Sequence, residues 1–235
     1  MTFYDERMPD PRPSDPSDEP EDLEIDRAIA SDLLTIGAVD LRPDDPFTWS
    51  SGLRAPIYCD NRKTLAHPPV RRAICDGFVE AVRTHAMTPA TIAGTATAGI
   101  PHAAWLADRL DQPMAYVRSS AKGHGRENRI EGEVEAGVPV IVVEDLISTG
   151  TSALSAVEAL REHGAVVRGV LAIFSYEFDR AATAFREADV PLHVLTGFST
   201  LLDVATTQGD LRRDQVQTLQ AWRADPEAWS DNVPM

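Results

Sequence analysis

The middle of the chain alternates short apolar runs with stretches of helical periodicity, and this alternation restricts the possible folds more than any other feature. The predicted strands are residues 91–94, 113–118, 138–145, 166–176 and 191–197. The predicted helices between and before them are residues 68–86, 100–110, 152–164 and 178–188. Strands that alternate with helices of this length form a mostly parallel sheet covered by helices on both faces. The predicted fold class is therefore doubly wound α/β.

The first 22 residues differ from the rest in composition. They are rich in proline and acidic residues and nearly lack aliphatic side chains, so they cannot bury enough apolar surface to offset the entropy lost on ordering. We therefore expect residues 1–22 to form a disordered tail and residues 23–235 to form one domain. Within that domain, residues 23–37 predict an amphipathic helix, and residues 47–62 predict a hairpin or extended loop.

Charge and composition exclude several classes of partner. The net charge is -15 and the pI is near 4.7, so the long-range field repels nucleic acids and anionic membranes. We find neither a signal peptide nor an apolar segment approaching the roughly 18 residues of a membrane span. Cys59 and Cys75 are too few for a disulfide framework and lack metal-ligand spacing. We expect a cytoplasmic protein in which both cysteines fill space.

The most informative segment is VIVVEDLISTGTS at residues 140–152, where an apolar strand ends in Glu144 and Asp145. A small, hydroxyl-rich loop follows and opens directly into a helix. Its backbone N–H groups, hydroxyls and helix dipole can form a nest for a phosphate dianion. The two carboxylates, one loop away, can accept hydrogen bonds from a sugar and stabilise positive charge at its anomeric carbon. The alternative is an ordinary strand-to-helix turn.

A second segment, residues 118–132, is basic and glycine-hinged in an otherwise acidic chain. Its cationic residues are Arg118, Lys122, His124, Arg126 and Arg129. Such a loop suits a polyanion such as pyrophosphate, although a solvated loop that only aids solubility is the other interpretation. Lysine occurs elsewhere only at Lys63, which indicates that a compact ammonium donor is required at Lys122.

Small residues also join a predicted strand to a helix at residues 95–100, TATAGI, where backbone N–H groups could contact a second anion. Taken alone, this segment fits a plain turn equally well. We expect His102 and His163 to lie on helix surfaces rather than to bind ligands. The tryptophans are expected to be packing or interface residues, and they are Trp49, Trp105, Trp222 and Trp229.

The segment EDLISTGTS resembles the motif by which type I phosphoribosyltransferases bind 5-phosphoribosyl 1-diphosphate (PRPP). Residues 47–62, 93–105 and 116–132 resemble the N-terminal motif, the pyrophosphate loop and the mobile catalytic loop of the orotate branch of that family. With LQAWRADPEAW near the C-terminus, the resemblance extends from about residue 23 to residue 229.

The resemblance implies the type I phosphoribosyltransferase fold, with a small hood formed by about residues 23–65 and 197–235. It implies transfer of ribose 5-phosphate from PRPP to orotate, which yields orotidine 5'-monophosphate and pyrophosphate in pyrimidine biosynthesis. Mg²⁺ would be the cofactor, held mainly by PRPP and water rather than by dedicated protein ligands. A homodimer is also implied, with the mobile loop reaching the neighbouring site.

The resemblance also implies roles for individual residues. Lys122, His124, Glu144 and Asp145 would be catalytic, and Arg118, Lys122 and His124 would grip the diphosphate. The remaining PRPP contacts would be Leu146, Ile147, Ser148, Thr149, Gly150, Thr151 and Ser152. The pyrophosphate loop would comprise Thr95, Ala96, Thr97, Ala98 and Gly99. Ser148 would contact orotate, and Arg62 either pairs with the orotate carboxylate or is an ordinary surface residue.

The chain departs from the family pattern at several positions. Ala98, Ser119 and Ser120 occupy positions where family members carry lysine, and Tyr176 precedes the position where many carry arginine. Fewer cations imply a weaker grip on pyrophosphate or greater reliance on Mg²⁺. Two alternatives remain open: a PRPP-dependent transferase for another base, and a non-catalytic regulator of the same fold that senses PRPP.

Overall fold

A computed structural model describes residues 21–49, 51–89, 91–120 and 129–232. The N-terminal segment begins with helix α1 and continues through short strands into a 3-10 helix. Its elements are α1 (Glu21–Thr35), β1 (Val39–Leu41), β2 (Phe47–Thr48), β3 (Arg54–Ala55), β4 (Ile57–Cys59) and the 3-10 helix (Asn61–Ala66). Antiparallel pairing joins β1 to β4 and β2 to β3. Residues 1–20 of the predicted tail lie outside the described residues.

The central part of the chain forms a sheet flanked by helices. Its elements are α2 (Pro68–Thr84), β5 (Thr91–Thr95), α3 (Gly99–Leu110), β6 (Met114–Val117), β7 (Ile130–Glu131), β8 (Pro139–Ile147), α4 (Thr151–Glu162), β9 (Val166–Ser175), α5 (Asp179–Glu187) and β10 (Leu192–Gly197). The strand order is β10-β9-β8-β5-β6-β7, and each neighbouring pair is parallel except β6 with β7. This confirms the predicted α/β fold.

The direction of winding reverses between the two central strands of this sheet. From β5 the chain moves outward to β6 and β7, and it then returns to β8 and moves outward on the other side to β9 and β10. In open α/β sheets, ligands bind beyond the carboxyl ends of the strands at such a reversal point. We therefore expect a ligand-binding site in the segments that follow β5 and β8.

Apolar side chains cover both faces of the sheet, as the predicted strand composition requires. Along β8, Ile141 and Val143 belong to the core cluster that includes residues of α1, α2 and α3. Val140 and Val142 belong to the opposite cluster with residues of α4 and α5. This alternation is the period of two that is expected of a strand buried on both faces.

The C-terminal segment packs against the N-terminal segment. It consists of α6 (Phe198–Gln208), α7 (Arg213–Ala224) and α8 (Pro226–Asn232). Thr200 of α6 donates a 2.7 Å hydrogen bond to Asp26 of α1. Trp222 of α7 is fully buried and lies 5.7 Å from Trp49 and 5.5 Å from Tyr176, measured between ring centroids. The described N-terminal and C-terminal segments thus pack together beside the sheet.

The structure corrects three details of the sequence interpretation. Strand β8 continues to Ile147, so Glu144 and Asp145 lie within the strand instead of ending it. The segment predicted as a hairpin or loop leads at its end into the 3-10 helix. The prediction that His102 lies on a helix surface is wrong, because this side chain is 2% exposed.

Candidate active site

Two adjacent carboxylates lie near the carboxyl end of β8. Glu144 is 5% exposed, and its Oε1 accepts a 3.0 Å hydrogen bond from the backbone N–H of Asp145. Its Oε2 is buried and has no hydrogen-bond partner among the described residues. A buried carboxylate oxygen without a donor is costly, so this atom is available to a ligand that brings hydroxyl groups or a cation.

Burial, a hydrogen bond with Glu144 and the negative charge of Glu144 together raise the pKa of Asp145 to about 7, although the positive charge of Arg62 acts in the opposite direction. The neighbouring negative charge of Glu144 disfavours ionisation of Asp145, so the Asp145 carboxyl is partly protonated near neutral pH. A ligand with positive charge between the two side chains would favour full ionisation. The geometry therefore suits stabilisation of a developing cation.

The loop after β8 leads directly into α4 and contains the residues predicted to form an anion nest. Gly150 caps this helix with a φ of +81°, a conformation that favours glycine. A Cβ atom at Gly150 would lie 2.7 Å from Cε2 of Phe185, so the backbone approaches α5 closely. The hydroxyl oxygens of Thr149 and Thr151 are 2.8 Å apart, and Thr151 and Ser152 are exposed in the first turn of α4. Hydroxyls and free N–H groups thus converge at the helix N-terminus.

The predicted pyrophosphate loop follows the neighbouring strand β5. Thr95 Oγ1 donates a 3.1 Å hydrogen bond to the carbonyl oxygen of Val143, and Ala96 N–H donates a 2.8 Å bond to the carbonyl oxygen of Val117. The peptide bond between Ala96 and Thr97 is cis. A Cβ at Gly99 would lie 2.4 Å from the Val143 oxygen, so glycine is required for α3 to begin against β8. This places both candidate anion loops side by side.

The basic segment begins directly after β6, whose carboxyl end lies beside that of β5. Arg118 N–H donates a 2.8 Å hydrogen bond to the Arg129 carbonyl, and Arg129 Nε donates a 2.9 Å bond back to the Arg118 carbonyl. The Arg118 guanidinium lies 3.5 Å from the Glu131 carboxylate, so an anion at Arg118 would have to share this partner. Lys122 and His124, together with Arg126, lie outside the described residues.

A third group of residues comes from the segment before α2. Arg62, with 64% of its side chain exposed, donates bonds of 2.6 Å and 3.0 Å to the two carboxylate oxygens of Asp60. The hydrogen bond and negative charge of Asp60, with a smaller contribution from the charge of Asp145, raise the pKa of the Arg62 guanidinium. Tyr58 is 41% exposed and lies 5.6 Å from Phe47 between ring centroids. The sequence interpretation missed Tyr58, although the alternation of Ile57, Tyr58 and Cys59 along β4 places its ring on the outer face.

Within the described ranges, no cluster of three or more His, Cys, Asp and Glu side chains is arranged to hold a metal ion. None of the helices in those ranges combines the length and apolar character needed to cross a membrane.

Comparisons with known proteins agree with this arrangement. Residues 62–196 match the model of the phosphoribosyl transferase domain. An orotate phosphoribosyltransferase from Bacillus cereus is 55% identical over 205 residues, which cover 86% of this chain and 98% of that protein.

Solved structures give the same result. The crystal structure of orotate phosphoribosyltransferase from Aeropyrum pernix has a TM-score of 0.68 and 32% identity, and the match covers 78% of this chain and 99% of that one. The Mycobacterium tuberculosis orotate phosphoribosyltransferase in complex with PRPP has a TM-score of 0.59 and 26% identity, with 75% and 98% of the two chains covered. The chain belongs to the orotate phosphoribosyltransferase family.

Proposed function

We propose that this chain transfers ribose 5-phosphate from PRPP to orotate, and that PRPP lies across the carboxyl ends of β5 and β8. The products are orotidine 5'-monophosphate and pyrophosphate, in the synthesis of pyrimidine nucleotides. The observation that carries the proposal is the juxtaposition of the Glu144 and Asp145 carboxylates with the exposed N-terminus of α4. A phosphorylated sugar needs both features, separated by one short loop.

In this proposal the 5'-phosphate occupies the nest formed by residues 148–152. Exposed Thr151 and Ser152 at the N-terminus of α4 contribute hydroxyls and N–H groups. Glu144 and Asp145 accept hydrogen bonds from the ribose hydroxyls, and their charge stabilises the positive charge that develops at the anomeric carbon. The diphosphate extends toward the loop of residues 95–99 and toward Arg118.

Mg²⁺ is the proposed cofactor, and the residues present fit it. The carboxylate oxygens of Glu144 and Asp145 are hard ligands of the kind Mg²⁺ accepts, and the unpartnered Glu144 Oε2 can receive a ribose hydroxyl or a metal-bound water. When bound with PRPP, the ion supplies positive charge that neutralises the leaving pyrophosphate. Most of its coordination would come from PRPP and water.

Orotate would enter from the side of Arg62 and Tyr58. The Arg62 guanidinium is exposed, and its Nε and Nη2 bond Asp60, so the orotate carboxylate would pair with the edge formed by its two terminal nitrogens. The exposed ring of Tyr58 offers an aromatic surface for the planar base. Ser148, at the start of the phosphate loop, would contact orotate from the other side.

The chemical step relies on positioning and electrostatics. Pyrophosphate departs with the electron pair of the C1–O bond, which leaves a cationic, oxocarbenium-like ribose. N1 of orotate forms the new bond from the opposite face, and the proton of its N1–H group passes to the departing pyrophosphate or to solvent. Lys122 and His124 of the basic segment, together with Arg118, would stabilise the negative charge of the leaving group. Loop closure would exclude water from the cationic sugar.

The working protein is proposed to be a homodimer in the cytoplasm. The mobile loop of each subunit would reach the neighbouring active site, as the family resemblance implies. Sedimentation equilibrium gives the oligomeric state directly. Mixing a Lys122→Ala subunit with an Asp145→Asn subunit then tests sharing, since a hybrid dimer recovers one complete site only if the loop crosses between subunits.

The activity itself is tested by following the orotate absorbance band with purified protein. Complete mixtures contain orotate, PRPP and MgCl₂, and control mixtures omit PRPP or replace MgCl₂ by a chelator. We expect loss of the orotate signal only in the complete mixture. Loss of signal that does not depend on PRPP would contradict the proposal.

The regulator alternative predicts binding to RNA or DNA. A net charge of -15 disfavours it, because long-range repulsion opposes association with a polyanion. A mobility-shift titration with and without PRPP tests this alternative. A specific nucleic-acid complex together with an inactive protein would favour the regulator.

A further inference from the structure

Asn61 is buried at the start of the 3-10 helix, and none of the ligand contacts proposed above involves its own side chain. Its side chain is 1% exposed, and its Nδ2 donates a 2.6 Å hydrogen bond to the backbone carbonyl oxygen of Asp145, 84 residues further along the chain. A buried amide is retained at this place only if its hydrogen bonds are satisfied. The bond therefore ties the N-terminal segment to the catalytic end of β8.

The position of this bond along β8 explains why a side chain is needed there. Pairing of β5 with β8 ends at Gly94 and Val143, so the β5 edge of β8 has no strand partner beyond that point. Carbonyl groups alternate in direction along a strand, and those of Val143 and Asp145 consequently face the same edge. Thr95 Oγ1 satisfies the first at 3.1 Å, and Asn61 Nδ2 satisfies the second at 2.6 Å. The two side chains thus supply the hydrogen bonds that a neighbouring strand would otherwise donate to β8.

Other buried groups hold the Asn61 amide in one orientation. Burial raises the pKa of the Cys59 thiol well above its ordinary value, so the sulfur keeps its proton and donates a 3.4 Å bond to Asn61 Oδ1. An amide oxygen that accepts this bond leaves Nδ2 directed at Asp145. The orientation of the amide is thus determined by its partners on both sides.

The backbone of Asn61 is held from the side of α3. Thr64 Oγ1 donates a 2.6 Å bond to the carbonyl oxygen of Asn61 and lies 3.3 Å from Nε2 of His102. Since the single hydroxyl proton is used on Asn61, Thr64 accepts from His102, which must carry its proton on Nε2. His102 belongs to the helix that begins at the pyrophosphate loop. A continuous buried chain of hydrogen bonds therefore joins that helix to Asp145.

We propose that Asn61 is a positioning residue that fixes the Asp145 carboxylate over the ribose of PRPP by holding the main chain of β8. This inference rests on the proposed function of Asp145. Asn61 touches neither substrate, and its effect is transmitted through the Asp145 peptide group. Its loss should therefore impair the handling of PRPP and leave the affinity for orotate unchanged.

The test is the kinetics of Asn61→Leu, which keeps the number and branching of the side-chain heavy atoms but removes the amide. Leaving one buried carbonyl unpaired corresponds to a loss of about tenfold to a hundredfold. We expect kcat/KM for PRPP to fall by that factor, through a lower kcat and a higher KM for PRPP, with an unchanged KM for orotate. Asn61→Ser, which is too short to reach Asp145, should show the same pattern and serves if Asn61→Leu does not fold.

His163→Leu is the matched control, because His163 Nε2 bonds the Val134 carbonyl at 2.9 Å near the far end of α4. This variant should lose thermal stability without any change in the constants for PRPP. Unchanged PRPP constants in both Asn61 variants would reduce Asn61 to a structural residue and overturn the proposal. A change confined to the KM for orotate would also overturn it, because Asn61 would then act through Arg62.

Calorimetric titration of PRPP in MgCl₂ separates this proposal from the function it rests on. A wild-type protein that binds PRPP but does not consume orotate would contradict the proposed activity and leave the Asn61 prediction testable. In that case a PRPP affinity about tenfold weaker in Asn61→Leu supports positioning. An equal affinity in the two proteins contradicts it.

Discussion

Replacing Gly150 by alanine tests whether close packing between the phosphate loop and α5 shapes the PRPP site. Two costs follow from the structure. The residue has a φ of +81°, where an alanine costs about 1 to 2 kcal/mol. Its Cβ would lie 2.7 Å from the ring of Phe185, which is 3% exposed and cannot move away freely. Overpacking of this kind adds about 1 to 3 kcal/mol.

Gly209→Ala provides the matched control. Gly209 caps α6 with a φ of +83°, and a Cβ atom there would meet nothing within 4 Å. It therefore carries the backbone cost alone, about 1 to 2 kcal/mol, which for a chain of this length lowers Tm by a few degrees. Gly150→Ala should cost about 2 to 5 kcal/mol and also raise the KM for PRPP.

Urea unfolding of both variants measures the difference, and steady-state kinetics measures the effect on PRPP. In a Phe185→Leu background the cost of Gly150→Ala should shrink toward that of Gly209→Ala, since the steric part depends on the ring. Equal losses of unfolding free energy in the two single variants would refute the assigned contact. An unchanged KM for PRPP in Gly150→Ala would refute the role of this loop in phosphate binding.

Three further predictions concern ionisation and the leaving group. Because the folded state favours protonated Asp145, the wild type should lose unfolding free energy relative to Asp145→Asn as pH rises from about 4 to 7, by at most about 1.4 kcal/mol per pH unit. Urea titrations at several pH values measure this, and a difference independent of pH would contradict it. Burial lowers the pKa of His102 to about 4, so the free energy of unfolding should fall as pH drops from 6.5 toward 4. His102→Asn should remove that part of the acid sensitivity. Identical acid profiles for His102→Asn and the wild type would exclude this assignment. Lys122→Ala should depress kcat by about a hundredfold or more with little change in the Kd for orotate, and unchanged turnover would exclude Lys122 from the leaving-group site.

The sheet could be predicted because its strands and helices are specified by local periodicity. The end of β8 could not, since two carboxylates interrupt the apolar run before Leu146 and Ile147. The strand continues there because β9 offers pairing partners, with Leu146 opposite Phe174 and Ile147 opposite Ser175. That pairing is a nonlocal interaction that a window along the sequence does not contain.

The loop proposed to bind phosphate could be identified as a candidate from the sequence, because small, hydroxyl-bearing residues after an apolar strand have a direct physical use. The burial of His102 was not, because an imidazole in a helix is ordinarily found at the surface. Its partner, Thr64, comes from a distant segment without helical periodicity. The role proposed for Asn61 could not be predicted for the same reason, since its hydrogen bond to Asp145 depends on how the N-terminal segment folds back over β8.

The central claim is that the site at the carboxyl ends of β5 and β8 couples PRPP to orotate and not to another base. The most direct measurement offers orotate, adenine, hypoxanthine and uracil together with PRPP and MgCl₂, and identifies the nucleotide products by mass. The account predicts orotidine 5'-monophosphate with pyrophosphate as its equimolar partner. Formation of adenosine, inosine or uridine monophosphate in its place would contradict the claim, even though the fold would stand.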